Sequence, residues 1–141
     1  MALTMDVAAL MAFLASDFAE VADSFIVERA DEVGLDLRLR VASQHLRPGG
    51  TVSGPAIFAL ADVAVYLAIL SRIGPKALTV TTNASIDFLR KPAAGTDLIA
   101  TARMLKLGRV LAVGDVLVYS QGIAEPVARA TLTYSIPPVR A

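Results

Sequence analysis

With 141 residues the chain has room for one ordinary domain, and its 55% hydrophobic side chains exceed what that core needs, a surplus that points to an oligomer. Thirteen basic and thirteen acidic residues cancel, and no basic cluster is longer than Arg90-Lys91, so a nucleic-acid partner is not expected. The absence of Cys and the single His exclude disulfides, Cys-based catalysis and the usual zinc sites, and no metal is expected.

The first residues lack the positively charged start of a signal peptide, and Asp6, Asp17, Glu20 and Asp23 interrupt their apolar run, which points to a cytoplasmic protein. Val7, Leu10, Met11, Leu14, Phe18 and Val21 recur at helical spacing and predict an amphipathic helix over 5–22 that lids the core. A weak strand is expected at 25–30. A stronger one follows Gly34, where Leu35, Leu37, Leu39 and Val41 alternate with Asp36, Arg38 and Arg40 and leave one face wet.

After the turn-rich run SQHLRPGG comes the stretch on which the chain is organised, Gly49 to Gly74. Ser53 is a plausible N-cap, Pro55 falls in the first turn and Gly74-Pro75 cannot continue a helix, which together predict a helix of about five turns. From Ala56 to Leu70 every side chain is apolar except Asp62 and the hydroxyl of Tyr66, so protein should wrap this helix on all sides. A membrane span is not expected, because Asp62 divides the apolar run into pieces far shorter than the roughly 20 residues a bilayer needs. Burying an unpaired carboxylate is costly, so Asp62 must be protonated, hydrogen-bonded, or placed in a cavity where its charge is used.

Beyond Pro75 the period returns to two: Leu78, Val80, Ala84, Ile86 and Phe88 form one face and Thr79, Thr81, Asn83, Ser85 and Asp87 the other. Three more strands are predicted at about 97–107, 110–120 and 127–136, with connections of hairpin length, and a disordered tail at 137–141. The sum is one α+β domain: a helical segment over 1–24, a core over 25–136, and a curved antiparallel sheet of about six strands round one long helix. One small sheet covers about half of such a helix, so a homodimer, or a homotetramer built as a dimer of dimers, is expected.

Residues 35 to 136 resemble the hotdog-fold thioesterases, in the branch typified by the phenylacetate-pathway (PaaI-like) enzyme. The resemblance rests on G50-T51-x-S53-G54-P55 followed by L60-A61-D62, where the family shows G-T-x-H-G-G and a catalytic Asp or Glu nine positions after the His; Asp62 is nine residues after Ser53. TTNASIDFLRKP, residues 81–92, looks like the family's strand after the helix with its F-x-R/K-P turn. The resemblance implies a hotdog fold and an acyl-CoA thioesterase, with the backbone N–H of Gly54 as oxyanion donor at the positive end of the helix. It implies Asp62 as general base or nucleophile, and no cofactor beyond the coenzyme A carried by the substrate.

Three positions depart from the pattern: Ser53 replaces the His, Arg47 stands where the family has Asn, and Pro55 replaces the second Gly and removes an N–H. Arg47 is a candidate partner for Asp62, for a substrate carboxylate or for a coenzyme phosphate. Tyr66, one turn past Asp62, is placed to hydrogen-bond it, to line the acyl pocket or to pack in the core. Asn83 and Thr81 are candidate substrate contacts or simply a polar strand face, Arg90 and Lys91 candidate phosphate ligands or surface cations, and His45 a solvated loop residue. An enoyl-CoA hydratase would need a His at position 67, which is Leu67. A non-catalytic acyl-CoA or small-ligand binding protein is the alternative from another class, favoured by Ser53 and Arg47 and opposed by Asp62.

Overall fold

The computed structural model describes residues 3–138, so Val139, Arg140 and Ala141 of the predicted disordered tail lie outside the described residues. Six strands, β1 (Phe25–Ala30), β2 (Leu35–Leu39), β3 (Val80–Phe88), β4 (Leu98–Leu107), β5 (Leu111–Ser120) and β6 (Pro126–Ser135), form one antiparallel sheet in the order β1-β2-β4-β5-β6-β3. The sheet curves round a long helix, α3 (Gly54–Ile73), and at the near end the chain starts with α1 (Val7–Asp17) and the short α2 (Ala19–Ala22). This is the hotdog architecture expected above. The predicted helix over 5–22 is two pieces, because the backbone leaves helical geometry at Phe18 (φ −134°, ψ 46°).

Local chemistry explains α3. The Ser53 hydroxyl accepts the N–H of Ala56 at 3.3 Å, Pro55 occupies the first turn where no N–H is needed, and Gly74 closes the end by donating to the carbonyl of Leu70. The loop before it is set by His45: its Nδ1 accepts the Ala42 N–H at 2.9 Å and its carbonyl accepts the Ser53 N–H at 2.8 Å. That acceptor role requires the proton on Nε2, which faces the Ser24 hydroxyl at 3.3 Å. Burial pulls the His45 pKa down, in favour of this neutral ring. His45 is thus a half-buried part of the loop and not the solvated residue its polar neighbours suggest.

The core lies between α3 and the concave face of the sheet, with Leu60, Leu67, Ile69 and Leu70 of the helix against Leu35, Leu37, Leu39, Leu98 and Leu132 of the strands. Leu10, Phe13 and Leu14 of α1 close one end. One glycine sets how closely helix and sheet approach, and another how closely two neighbouring strands do. A Cβ on Gly114 of β5 would lie 2.6 Å from a methyl of Val65, and one on Gly34 would lie 2.2 Å from the carbonyl oxygen of Ala102 on β4. The outer face of β2 is wet as predicted: Arg38 pairs with Glu28 at 2.7 Å and with Asp97 at 3.1 Å, and Arg29 pairs with Asp36 at 3.0 Å.

Two surfaces remain open. The wrapping of α3 is incomplete in its first two turns, where Pro55 and Ala59 are exposed and Phe58 and Asp62 half-buried, whereas Val63 to Ser71 are all buried. By length and composition α3 is apolar enough to cross a bilayer, but 67% of that window is buried inside the protein, as in a core helix. Strand β3 pairs on one side only, with β6, and Leu78, Val80 and Phe88 on or beside it are exposed at 78%, 54% and 54%.

Candidate active site

Asp62 faces the end of the sheet where β3 and β6 meet. Thr81 and Tyr134 are directly opposed in the β3–β6 register, so both side chains rise from the same face towards the helix. Tyr134 donates its hydroxyl proton to Asp62 Oδ1 at 2.5 Å, with the Asp62 carbonyl at 2.9 Å, and Thr81 donates to the same Oδ1 at 2.8 Å. Among the described residues no donor is directed at Oδ2. One carboxylate oxygen is therefore pinned and oriented while the other keeps its lone pairs.

Tyr134 is buried, and its pKa is pushed far up, first by that burial and then by the negative charge of Asp62. It stays a proton donor across the accessible pH range. Thr81 was a candidate in the sequence; Tyr134 was not. Its signal was one hydroxyl among the inward-facing Ala128, Ala130 and Leu132, which needs a partner once buried, but nothing along the chain says which.

Asp62, Tyr66, Thr79, Thr81 and Tyr134 line a cleft of about 480 Å³ whose mouth carries Asp17, Phe18 and Glu20. Tyr66 belongs to its wall but does not bond to Asp62; its hydroxyl donates to the Ala77 carbonyl at 2.9 Å. Burial, then the charge of Asp17, raises the Tyr66 pKa. Phe18 stands edge-on to Tyr66 at 6.0 Å and Tyr66 lies 5.9 Å from Tyr134, so the wall is continuous aromatic surface.

Gly54 faces a second cleft, of about 590 Å³, lined also by Arg47, Phe88, Arg90 and Lys91. Three cations and no carboxylate line it, beside the positive end of α3. Arg47 and Lys91 make no side-chain hydrogen bond or ion pair among the described residues, and Arg90 donates to the Pro126 carbonyl. Ser53 caps the helix and lines neither cleft. Asn83 is exposed on β3 and lines neither cleft.

The structure thus gathers the sequence candidates into two groups, with Arg47 apart from Asp62. Asp62 is eight residues past Gly54, a separation of about 12 Å along a helix rising 1.5 Å per residue. A water-mediated base and an oxyanion donor must both lie within a few ångströms of one carbonyl, so these two groups of a single chain do not serve the same one.

A thioesterase superfamily profile matches residues 49–127. No curated protein matches the sequence. Among solved structures, a candidate thioesterase from Silicibacter sp. TM1040 is 54% identical over 98% of this chain and 96% of its own, with a TM-score of 0.92. The PaaI protein of the Escherichia coli phenylacetic acid degradation operon is 27% identical over 89% of this chain and 88% of its own, at 0.76. A hypothetical thioesterase from Streptococcus pneumoniae TIGR4, solved with coenzyme A, is 21% identical over 91% of this chain and 99% of its own, at 0.75, a likeness of fold.

Proposed function

The chain belongs to the thioesterase superfamily, and from that premise we propose that it hydrolyses acyl-CoA thioesters with Asp62 as general base or nucleophile. The observation that carries this reading is the asymmetry of the carboxylate. Tyr134 and Thr81 hold Oδ1, so Oδ2 is the oxygen that takes a proton from water as the water oxygen bonds to the carbonyl carbon, the C–S bond then breaking and the thiolate leaving with that proton as thiol; or Oδ2 attacks the carbonyl carbon itself, the thiolate leaves, and water cleaves the resulting anhydride. The Gly54 N–H is the oxyanion donor, reinforced by the first turn of α3.

The 12 Å between Gly54 and Asp62, taken from about 1.5 Å per helical residue, leads us to place these groups from two copies of the chain on one thioester. A homodimer covering the open stripe of Pro55, Ala59 and Asp62, with exposed β3 continuing its sheet against a second β3, meets that need and covers the exposed Val80. A homotetramer, as a dimer of dimers, extends the same logic. Light scattering at micromolar concentration should return a dimer or tetramer; a monodisperse monomer rejects the shared site.

Arg47, Arg90 and Lys91, three cations with no carboxylate among them, suit the phosphates of coenzyme A. Arg47→Asn should raise KM several-fold with little change in kcat, the signature of lost ground-state binding. A higher kcat at unchanged KM would reject the ligand role. The function itself is tested by a hydrolysis screen over short, aromatic and long acyl-CoAs, reading thiol release. Turnover of at least one class is expected, and none would leave a binding protein.

A further inference from the structure

The loop that carries Arg47 and delivers the chain to Gly54 begins and ends at one residue. His45 closes the short 3-10 turn Ser43–His45, and its carbonyl accepts the Ser53 N–H at 2.8 Å. Between those points the excursion folds on itself through the Leu46–Val52 bridge and the Arg47 N–H, which donates to the Thr51 carbonyl at 2.9 Å. The side chain fixes this junction to the rest of the fold. Its Nδ1 accepts the Ala42 N–H at 2.9 Å, Nε2 faces the Ser24 hydroxyl at 3.3 Å, and the Ser24 carbonyl in turn accepts the Arg40 N–H at 2.8 Å just past β2. The ring therefore joins the start of β1, the exit of β2 and both ends of the loop, although His45 itself lines neither cleft.

We propose that His45 is a positioning residue for the coenzyme cleft, holding Arg47 and the Gly54 N–H in place while its ring is neutral and releasing the loop when the ring takes a proton. The inference rests on the reading of that cleft as the coenzyme A site and adds a residue and a pH dependence to it. A neutral imidazole keeps one acceptor nitrogen, which the Ala42 N–H uses. An imidazolium has two donors and no acceptor, so that bond is lost however the ring turns. The segments that meet the ring carry four charged residues: Asp23 beside Ser24, Arg40, Arg47, and Asp97, whose carboxylate accepts the Val41 N–H. None of them bonds to the ring, and burial is the one cause that lowers its pKa. A closed loop therefore holds the proton more weakly than an open one, in which histidine has its ordinary value of about 6.5. Closure is fully favoured above that pH and weakens progressively as pH falls from there through the lowered value.

Calorimetric binding of free coenzyme A between about pH 7.5 and 5.5 tests it, with His45→Asn and His45→Ala beside the parent. The Oδ1 of Asn can take the Ala42 N–H in place of Nδ1 and has no proton to gain, so at the upper pH this variant should bind within about twofold of the parent. Ala loses the acceptor and should bind several-fold more weakly throughout. On acidification the parent should lose several-fold more affinity than the Asn variant, about tenfold being the most that one pH unit below 6.5 allows. Comparing the two proteins at each pH cancels the titration of the coenzyme phosphates. His45 is the single His of the chain, so its ring titrates alone in proton NMR, and the Ala42 amide should shift with the same midpoint, below about 6.5. Coenzyme A that binds with this pattern while no thioester is cleaved would overturn hydrolysis and leave the role of His45 standing. Equal pH profiles in the parent and the Asn variant, an Ala variant that binds like the parent, parental binding that tightens in acid relative to the Asn variant, or no coenzyme binding at all would overturn it.

Discussion

Asp62→Asn should lower turnover of the best acyl-CoA substrate by about 10² or more, the usual contribution of a positioned general base. The substitution is nearly isosteric. The amide oxygen of Asn can still accept from Tyr134 and Thr81, and only the free oxygen, Oδ2, is exchanged for an NH₂ that cannot take a proton. Folding should therefore be unaffected to within about 1 kcal/mol, the net worth of one hydrogen bond. The readout is kcat alongside a thermal melt: full activity in a purified, folded variant would remove Asp62 from the chemistry, and an unfolded variant would refute the expectation that the amide oxygen keeps both hydrogen bonds.

Gly34→Ala should destabilise the fold by about 3 kcal/mol or more, at the upper end for forcing atoms into a packed site. The new Cβ would lie 2.2 Å from the Ala102 carbonyl oxygen and 3.2 Å from its carbon, and both belong to backbone. Neither can rotate aside, because Leu35, the next residue, pairs directly with Ala102 where β2 joins β4. For a chain of this size a loss of about 3 kcal/mol lowers Tm by roughly 10 °C. Gly114→Ala meets the methyls of Val65 instead and should cost less, since a side chain can give where backbone cannot. A Gly34→Ala protein melting within about 2 °C of the parent would refute this close approach.

What the sequence disclosed follows from how far each cause acts along the chain. The caps of α3 are local: Ser53, Pro55 and Gly74 lie within a turn of the ends they create, and both ends were legible. Asp62 stood out because its own helix supplies the apolar contrast. Its two donors are 19 and 72 residues away, brought together only by the β3–β6 register, and no local pattern announces that pairing. The strand order was illegible for the same reason, as alternation tells which face is buried but not which strand ends at an edge. Alternation along β3 separated an apolar from a polar face, but not that at the edge of the sheet Val80 and Phe88 of the apolar face are exposed. The resemblance implied Gly54 and Asp62 together, and no spacing along one helix discloses that they line different clefts of a single chain.

The clamp on Asp62 has a consequence for how such an enzyme responds to dilution. One of its two donors, Thr81, rides on the strand at the sheet's open edge, and a strand bonded on one side only is the first part of a sheet to fray. Fraying there removes one of the two donors to Oδ1, leaving Tyr134 alone to orient the carboxylate. A second copy lying along that edge would suppress the motion, so association and the orientation of the base become linked equilibria, governed by mass action. On the proposed dimeric thioesterase, specific activity should then rise with protein concentration up to the dissociation constant of the assembly and be flat above it.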